Sequence, residues 1–315
     1  MLLNFVIFIV SLSALIWGAD MLINQSEKIA LKFRISEYVI GATLIAVGTS
    51  LPEMAASVAA SMNGKAEMAV ANVIGSNILN ITLVLASVFV IARRISPDRD
   101  FFARDSSWAL FPVLIFSVMA MSGQFGRFDG ALLVILMGAY LLFLKESASD
   151  TLLGESAEIE FAEDSFSWKN TASLLVAGLI LVIVGADYTV SSASEIARGF
   201  GVSEWIVGIL MISMGTSMPE LMVSIVAAKK GKADMAIGNI IGSNMANLTI
   251  VLGSAAIVNP ISLDMSGYLF DIGTMISATL MLVFITANQL YTKPAGISLL
   301  VLLSIFLEHT VTSAT

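Results

Sequence analysis

The sequence predicts an all-α integral membrane protein: ten transmembrane helices, arranged as two inverted five-helix repeats, with broken helices around a central ion site. Composition is the first reason, since 57% of the 315 residues are hydrophobic and 13% charged, with a mean hydropathy of +0.90, well beyond a soluble domain. Duplication is the second. Gly48-Thr-Ser-Leu-Pro-Glu53 returns as Gly215-Thr-Ser-Met-Pro-Glu220, and Gly75-Ser-Asn-x-x-Asn80 as Gly242-Ser-Asn-x-x-Asn247, always 167 residues later. Without a gap, residues 40–86 match 207–253 at 23 of 47 positions. The third reason is charge. With the N-terminus outside, 13 of the 16 Lys and Arg residues fall in inner loops, leaving Lys65, Arg127 and Arg198 outside, as the positive-inside rule requires.

Apolar segments at roughly residues 3–23, 37–62, 67–92, 107–123, 128–145, 170–190, 204–228, 234–259, 267–287 and 293–308 mostly reach the ~20 residues that a bilayer demands. The first has no basic residue before it and no small-residue cleavage site, so it is expected to stay in the protein. It ends on Gly18-Ala-Asp20, repeated as Gly185-Ala-Asp187 in the sixth, and both aspartates read as solvated helix ends. Five spans per copy is an odd number, so the second copy enters the membrane from the opposite side. The first repeat covers residues 1–145 and the second 170–315, and both termini are expected outside. Between them, residues 146–169 form an acidic cytoplasmic connector with Glu146, Asp150, Glu155, Glu158, Glu160, Glu163 and Asp164. It lacks the spacing of a calcium loop and reads as solvated.

The second and seventh spans carry the only charges near mid-membrane, Glu53 and Glu220. A charge there costs about 2.5–3.5 kcal/mol or more unless partnered, which marks both as functional. Pro52 and Pro219 cannot donate to the carbonyls of Gly48 and Gly215, so each helix should open at the motif. Irregular backbone is tolerated there only inside the bundle. In the third and eighth spans, Ser76 with Asn80 and Ser243 with Asn247 each share a helix face. Carboxylates, hydroxyls, amides and free carbonyls make a hard-ligand set suited to Na⁺, Ca²⁺, Mg²⁺ or Mn²⁺, with Ca²⁺ or Na⁺ preferred over the more strongly hydrated Mg²⁺. Small residues nearby, such as Ala71 with Gly238 and Gly41 with Gly208, read as close helix packing.

No cysteine is present, which excludes disulfides and thiolate chemistry, and the lone His309 lies at the end of the last span. No basic patch suggests nucleic acid, no cofactor is implied, and no obligatory protein partner is inferred beyond the lipid bilayer. An aspartyl protease built on Asp20 and Asp187 is excluded, because inverted repeats put the two at opposite faces.

With its paired Gly-Thr-Ser-x-Pro-Glu and Gly-Ser-x-x-x-Asn signatures, the chain resembles the calcium/cation antiporter superfamily, close to its prokaryotic sodium/calcium exchangers, over all ten spans. That resemblance implies a membrane antiporter of the prokaryotic inner membrane and not an enzyme. It implies ion ligands at Glu53, Thr49, Ser50, Ser76 and Asn80 in the first copy and at Glu220, Thr216, Ser217, Ser243 and Asn247 in the second. Carbonyls near Ala46 and Ser213 would complete the sodium sites, and the first and sixth helices would slide as a gate. Two departures stand out: Asn247 where such exchangers often carry Asp, and Ser213 where they carry a small apolar residue. Stoichiometry therefore stays open. Thr-Ser, in place of the Asn-Ala of the proton-coupled branch, favours Na⁺ as the counter-ion. The alternatives are a proton-coupled divalent-cation antiporter and, further off, a cation channel or sensor.

Overall fold

A computed structural model describes residues 1–92, 95–154, 166–202, 215–262 and 265–313. Its helices are α1 (Leu2–Phe33), α2 (Glu37–Thr49), α3 (Leu51–Met62), α4 (Glu67–Ile91), α5 (Phe101–Ala120), α6 (Arg127–Gly154), α7 (Trp168–Gly199), α8 (Met218–Lys229), α9 (Ala233–Val258), α10 (Met265–Ala287) and α11 (Lys293–Ser313). Among the described residues, eight helices are long and apolar enough to cross a membrane. Helices α2 and α3, bent by 44° at their junction, pass the same test only as a pair and give a ninth when counted as one broken span. Helix α8 covers the second half of the expected seventh span. The first half, with Gly208 and Ser213, lies outside the described residues, as do Arg93, Arg94 and the connector acids Glu155, Glu158, Glu160, Glu163 and Asp164.

Several helices run past their expected ends. Helices α1 and α7 have 32 residues each, about 48 Å at 1.5 Å per residue, against a hydrocarbon core of ~30 Å. The extra turns of α1 stay ordered because Gln25, Ser26 and Ala30 are buried against neighbouring helices. Helix α6 continues to Gly154, into the stretch expected as connector, since Lys145 and Glu146 are good helix formers. Helix α5 starts early, at Phe101, because the Asp100 side chain caps it by accepting from the Ala103 N–H at 3.0 Å.

Helices α1 and α7 lie antiparallel. Ser11 meets Thr189 at 3.0 Å, Leu15 meets Gly185, and Gly18 meets Gly178. A Cβ on Gly18 would stand 2.9 Å from the Gly178 carbonyl, and one on Gly185 2.8 Å from the Leu15 nitrogen. The glycine of each Gly-Ala-Asp motif is thus a contact point between these helices.

The centre of the bundle is α4 and α9, whose most apolar stretches are 72% and 78% buried, against 22% for α1. Helix α2 lies directly on α9. A Cβ on Gly238 would come within 2.6 Å of the Tyr38 carbonyl, and one on Gly242 within 2.4 Å of the Ala42 carbonyl. Small residues therefore set this approach, as expected of membrane helices. A two-residue antiparallel pair, Gln124–Phe125 with Ile261–Ser262, joins the turns after α5 and α9.

Candidate ion site

The site forms where the two short helices α3 and α8 begin. Ser50 and Ser217 occupy equivalent junctions with nearly the same backbone, φ −84° and ψ 6° against φ −85° and ψ −1°. Pro52 and Pro219 follow at once, and their missing N–H interrupts the helical hydrogen bonding. Each break starts a new helix with a glutamate in its first turn, Glu53 in α3 and Glu220 in α8. There the unpaired backbone N–H groups and the helix dipole favour negative charge. Both carboxylates are sealed from solvent, at 1% and 0% exposure.

The two copies cross over. Ser50 of the first copy donates to Oε1 of Glu220 in the second at 3.1 Å, and Ser243 approaches the same oxygen at 3.5 Å. In return, the Thr216 hydroxyl faces Glu53. Thr49 donates to the carbonyls of Ile45 (3.1 Å) and Ala46 (3.3 Å), and the Ser50 N–H also reaches Ala46 O, at 3.0 Å. The Ala46 carbonyl, expected to be free for an ion, is therefore already shared by two donors. Ser76, Asn80, Ser217 and Asn247 are all buried. Ser213 lies outside the described residues. Asp20 does not join the site: it pairs with Lys230 at 2.5 Å and accepts from Asn24 at 2.9 Å. Asp187 is exposed, and His309 stacks on Phe270.

Two features went unread in the sequence. Wide π turns replace α-helical ones at Gly41–Ile45, Asn80–Leu85 and Asn247–Val251, so the ligand candidates Asn80 and Asn247 each open one. Such bulges recur at functional sites. Each contains a threonine whose hydroxyl donates four residues back: Thr43 to Val39 O (2.6 Å), Thr82 to Ile78 O (2.7 Å) and Thr249 to Met245 O (2.5 Å). The second feature is a supporting set of amides. Asn72 donates to Ser57 at 3.0 Å and Asn239 to Ser224 at 3.0 Å, the same bond in each copy, while Asn77 and Asn244 sit beside Asn80. The signal was available, because all six of these residues also repeat at an offset of 167.

Six buried oxygens of the paired motifs accept nothing from the protein: Glu53 Oε2, Asn77 Oδ1, Asn80 Oδ1, Ser217 Oγ, Glu220 Oε2 and Asn247 Oδ1. An unmet buried polar atom costs about 1–3 kcal/mol, so such a concentration calls for a cationic partner. Oxygen donors without sulfur or imidazole fit a hard cation of the sodium or calcium type. Among the described residues no group of three or more His, Cys, Asp or Glu comes together. Glu53 and Glu220 carry two negative charges between them, the number that would neutralise one divalent ion.

A family model described as "Sodium/calcium exchanger protein" matches residues 3–145 and 171–311. The Sodium/calcium exchanger MaX1 of Methanosarcina acetivorans is 30% identical, over 96% of this chain and 97% of its own. The Inner membrane protein YrbG of Escherichia coli is 33% identical, over 88% and 86%. Among solved structures, the sodium-calcium exchanger NCX_Mj soaked with 2.5 mM Na⁺ and 0.1 mM Sr²⁺ matches with a TM-score of 0.81 and 32% identity over 98% of both chains.

Proposed function

The chain belongs to the sodium/calcium exchanger protein family, a family of membrane antiporters and not of enzymes, and from that premise we propose that it exchanges Na⁺ for Ca²⁺ at one central site built on Glu53 and Glu220. The observation that carries this reading is the crossing hydrogen bond from Ser50 to Glu220. It supports reading the two motifs as one site and not two.

In this reading the ligands are Glu53, Thr49, Ser50, Ser76 and Asn80 with Glu220, Thr216, Ser217, Ser243 and Asn247. The carbonyls of Ala46 and Ser213 serve Na⁺, that of Ala46 after Thr49 turns away. Calcium or several sodium ions occupy the same carboxylates in turn. Mutually exclusive occupancy, with the site open to one side at a time, couples the two fluxes. The chain is organised as ten spans in two inverted repeats, residues 1–145 and 170–315, with residues 146–169 as the cytoplasmic connector and both termini outside. The matching breaks at Ser50 and Ser217 and the antiparallel packing of α1 on α7 support that organisation. The long α1–α7 pair is the element free to slide. Thr-Ser in both motifs supports Na⁺ as the counter-ion, and the name of the Escherichia coli relative supports an inner-membrane location.

The test is radioactive calcium uptake into proteoliposomes loaded with sodium, potassium or acid. Uptake driven by internal sodium alone is expected. Uptake driven by internal acid alone would transfer the protein to proton coupling, and none under any condition would remove calcium as substrate.

A further inference from the structure

Asn77 and Asn244 are not among the ligands assigned above, yet their hydrogen bonds set the direction of one that is. Asn244 Nδ2 donates to the backbone carbonyl of Asn77 at 3.4 Å, which fixes the Asn244 amide. Asn244 Oδ1 then accepts from Asn80 Nδ2 at 3.0 Å. One N–H of the Asn80 amide is thereby held by the protein, which fixes the amide's direction, and its Oδ1 is left as a buried, open acceptor. An asparagine whose nitrogen is tied in this way can present only oxygen to a cation.

The equivalent residues of the other copy, 167 positions away, are Asn77 for Asn244 and Asn247 for Asn80. The corresponding chain would run from Asn77 Nδ2 to the Asn244 carbonyl and from Asn247 Nδ2 to Asn77 Oδ1. It is open in this structure. Asn77 Nδ2 donates instead to Val73 O, four residues back on its own helix, at 2.7 Å. Asn77 Oδ1 and both polar atoms of Asn247 have no partner, although Asn77 is 1% and Asn247 0% exposed. A free NH₂ donor and a free carbonyl acceptor therefore stand buried at the two places whose counterparts are bonded. One half of the site has its amide chain closed and the other has it open.

We propose that Asn77 and Asn244 are positioning residues for the ligand amides, Asn244 for Asn80 and Asn77 for Asn247, and that the Asn247–Asn77 bond closes when a cation takes Asn247 Oδ1. The driving force is the buried valence. A cation on Asn247 Oδ1 forces Nδ2 away from it, towards the only kind of atom it can bond, an acceptor. The same bond satisfies Asn77 Oδ1, removing two unmet groups in one step. It also gives a use to the amide at position 247, since a carboxylate there has no N–H to donate.

This inference rests on the ligand roles of Asn80 and Asn247, and a double-mutant cycle separates the two claims. Calcium KM and kcat are measured in proteoliposomes for Asn77→Ala, Asn244→Ala, Asn80→Ala, Asn247→Ala and the four cross-pairs. The expected result is that each single variant raises KM about 5- to 20-fold, more than it lowers kcat. Asn77→Ala should add less than twofold in the Asn247→Ala background while keeping its full effect in the Asn80→Ala background, and Asn244→Ala should do the reverse. Multiplicative effects in all four pairs would overturn the positioning roles while leaving the site intact. Unchanged KM in Asn80→Ala and Asn247→Ala would instead remove the ligand assignment on which both rest. Any alanine variant that does not elute as a monodisperse species is replaced by serine at the same position, with the same outcomes read.

Discussion

Asp105 is as deeply buried as Glu53 and Glu220, beside an Arg99 side chain that keeps 7% exposure, but both of its carboxylate oxygens are answered. The guanidinium grips Asp105 through two bonds, Nε to Oδ2 at 2.6 Å and Nη2 to Oδ1 at 2.9 Å, and Nη2 also donates to Ser147 at 3.2 Å. Its plane lies 4.3 Å from the Tyr38 ring centre, and the Tyr38 hydroxyl meets that of Tyr140 at 3.2 Å. The two glutamates each keep an oxygen with no partner. The first cluster joins the foot of α2 to α5 and α6, whereas the second lies at the breaks that begin α3 and α8. Buried charge alone does not separate the two clusters. Open hydrogen-bonding valence does, because a group satisfied by the protein has nothing left to offer a passing ion.

The sharpest way to break that contrast is to neutralise one charge in each cluster. Glu53→Gln and Glu220→Gln are both expected to reduce sodium-driven calcium uptake at least 100-fold, to the background of empty vesicles. Their melting temperatures should be unchanged or higher, since an amide in place of a carboxylate removes a buried charge without removing a protein partner. Transport by Glu220→Gln near the wild-type rate would end the shared-site reading.

Asp105→Asn should do the opposite. Losing one partner of a buried, bidentate pair leaves the Arg99 cation uncompensated, at a cost of about 3–5 kcal/mol. Thermal unfolding in detergent should show a clear loss of stability and a lower yield of monodisperse protein. The protein that survives should keep its calcium KM, because the pair touches no ligand. A changed KM with an intact melting curve would place the cluster in the transport path.

The glutamates and their breaks were legible in the sequence because charge is rare at mid-span, because a proline beside it marks a backbone that only the bundle interior tolerates, and because both occur twice. The π turns at Asn80 and Asn247 violate nothing visible. One extra residue in a turn leaves the apolar composition untouched, and only the recurring threonines, Thr82 and Thr249, hint at it. Asn77 and Asn244 lie within the repeated motif, but a middle position offers no spacing argument that would mark them. The Arg99 cluster was hidden for another reason: it joins a loop residue to Tyr38, Tyr140 and Ser147, none of them near in sequence, and only the fold brings them together. The turns of α1 beyond residue 23 read as loop because they are polar, yet Gln25 and Ser26 are buried.

A third set of charges tests how far the contrast extends towards solvent. Lys232, in the turn between α8 and α9, bonds Glu37 at 2.7 Å and also pairs with Glu27, tying the start of α9 to α1 and α2. Each of its partners is bonded through one oxygen, all three side chains keep 22–34% exposure, and water and salt weaken such pairs to about 0–1 kcal/mol. Burial works to lower the lysine's pKa, but the hydrogen bonds and charges of Glu27 and Glu37 outweigh it and hold the pKa above its usual value. A lysine raised on folding stabilises the fold fully below its unfolded pKa and stops doing so as pH rises through the folded one. The contribution should therefore be constant through neutral pH and fade only above about pH 10.5. Lys232→Ala should lower stability by no more than about 1 kcal/mol, with the difference shrinking in high salt, and should leave sodium-driven uptake within twofold. A loss comparable to that of Asp105→Asn would show that this turn is as buried in the membrane-embedded protein as the Arg99 cluster, and that satisfied valence carries weight at the surface too.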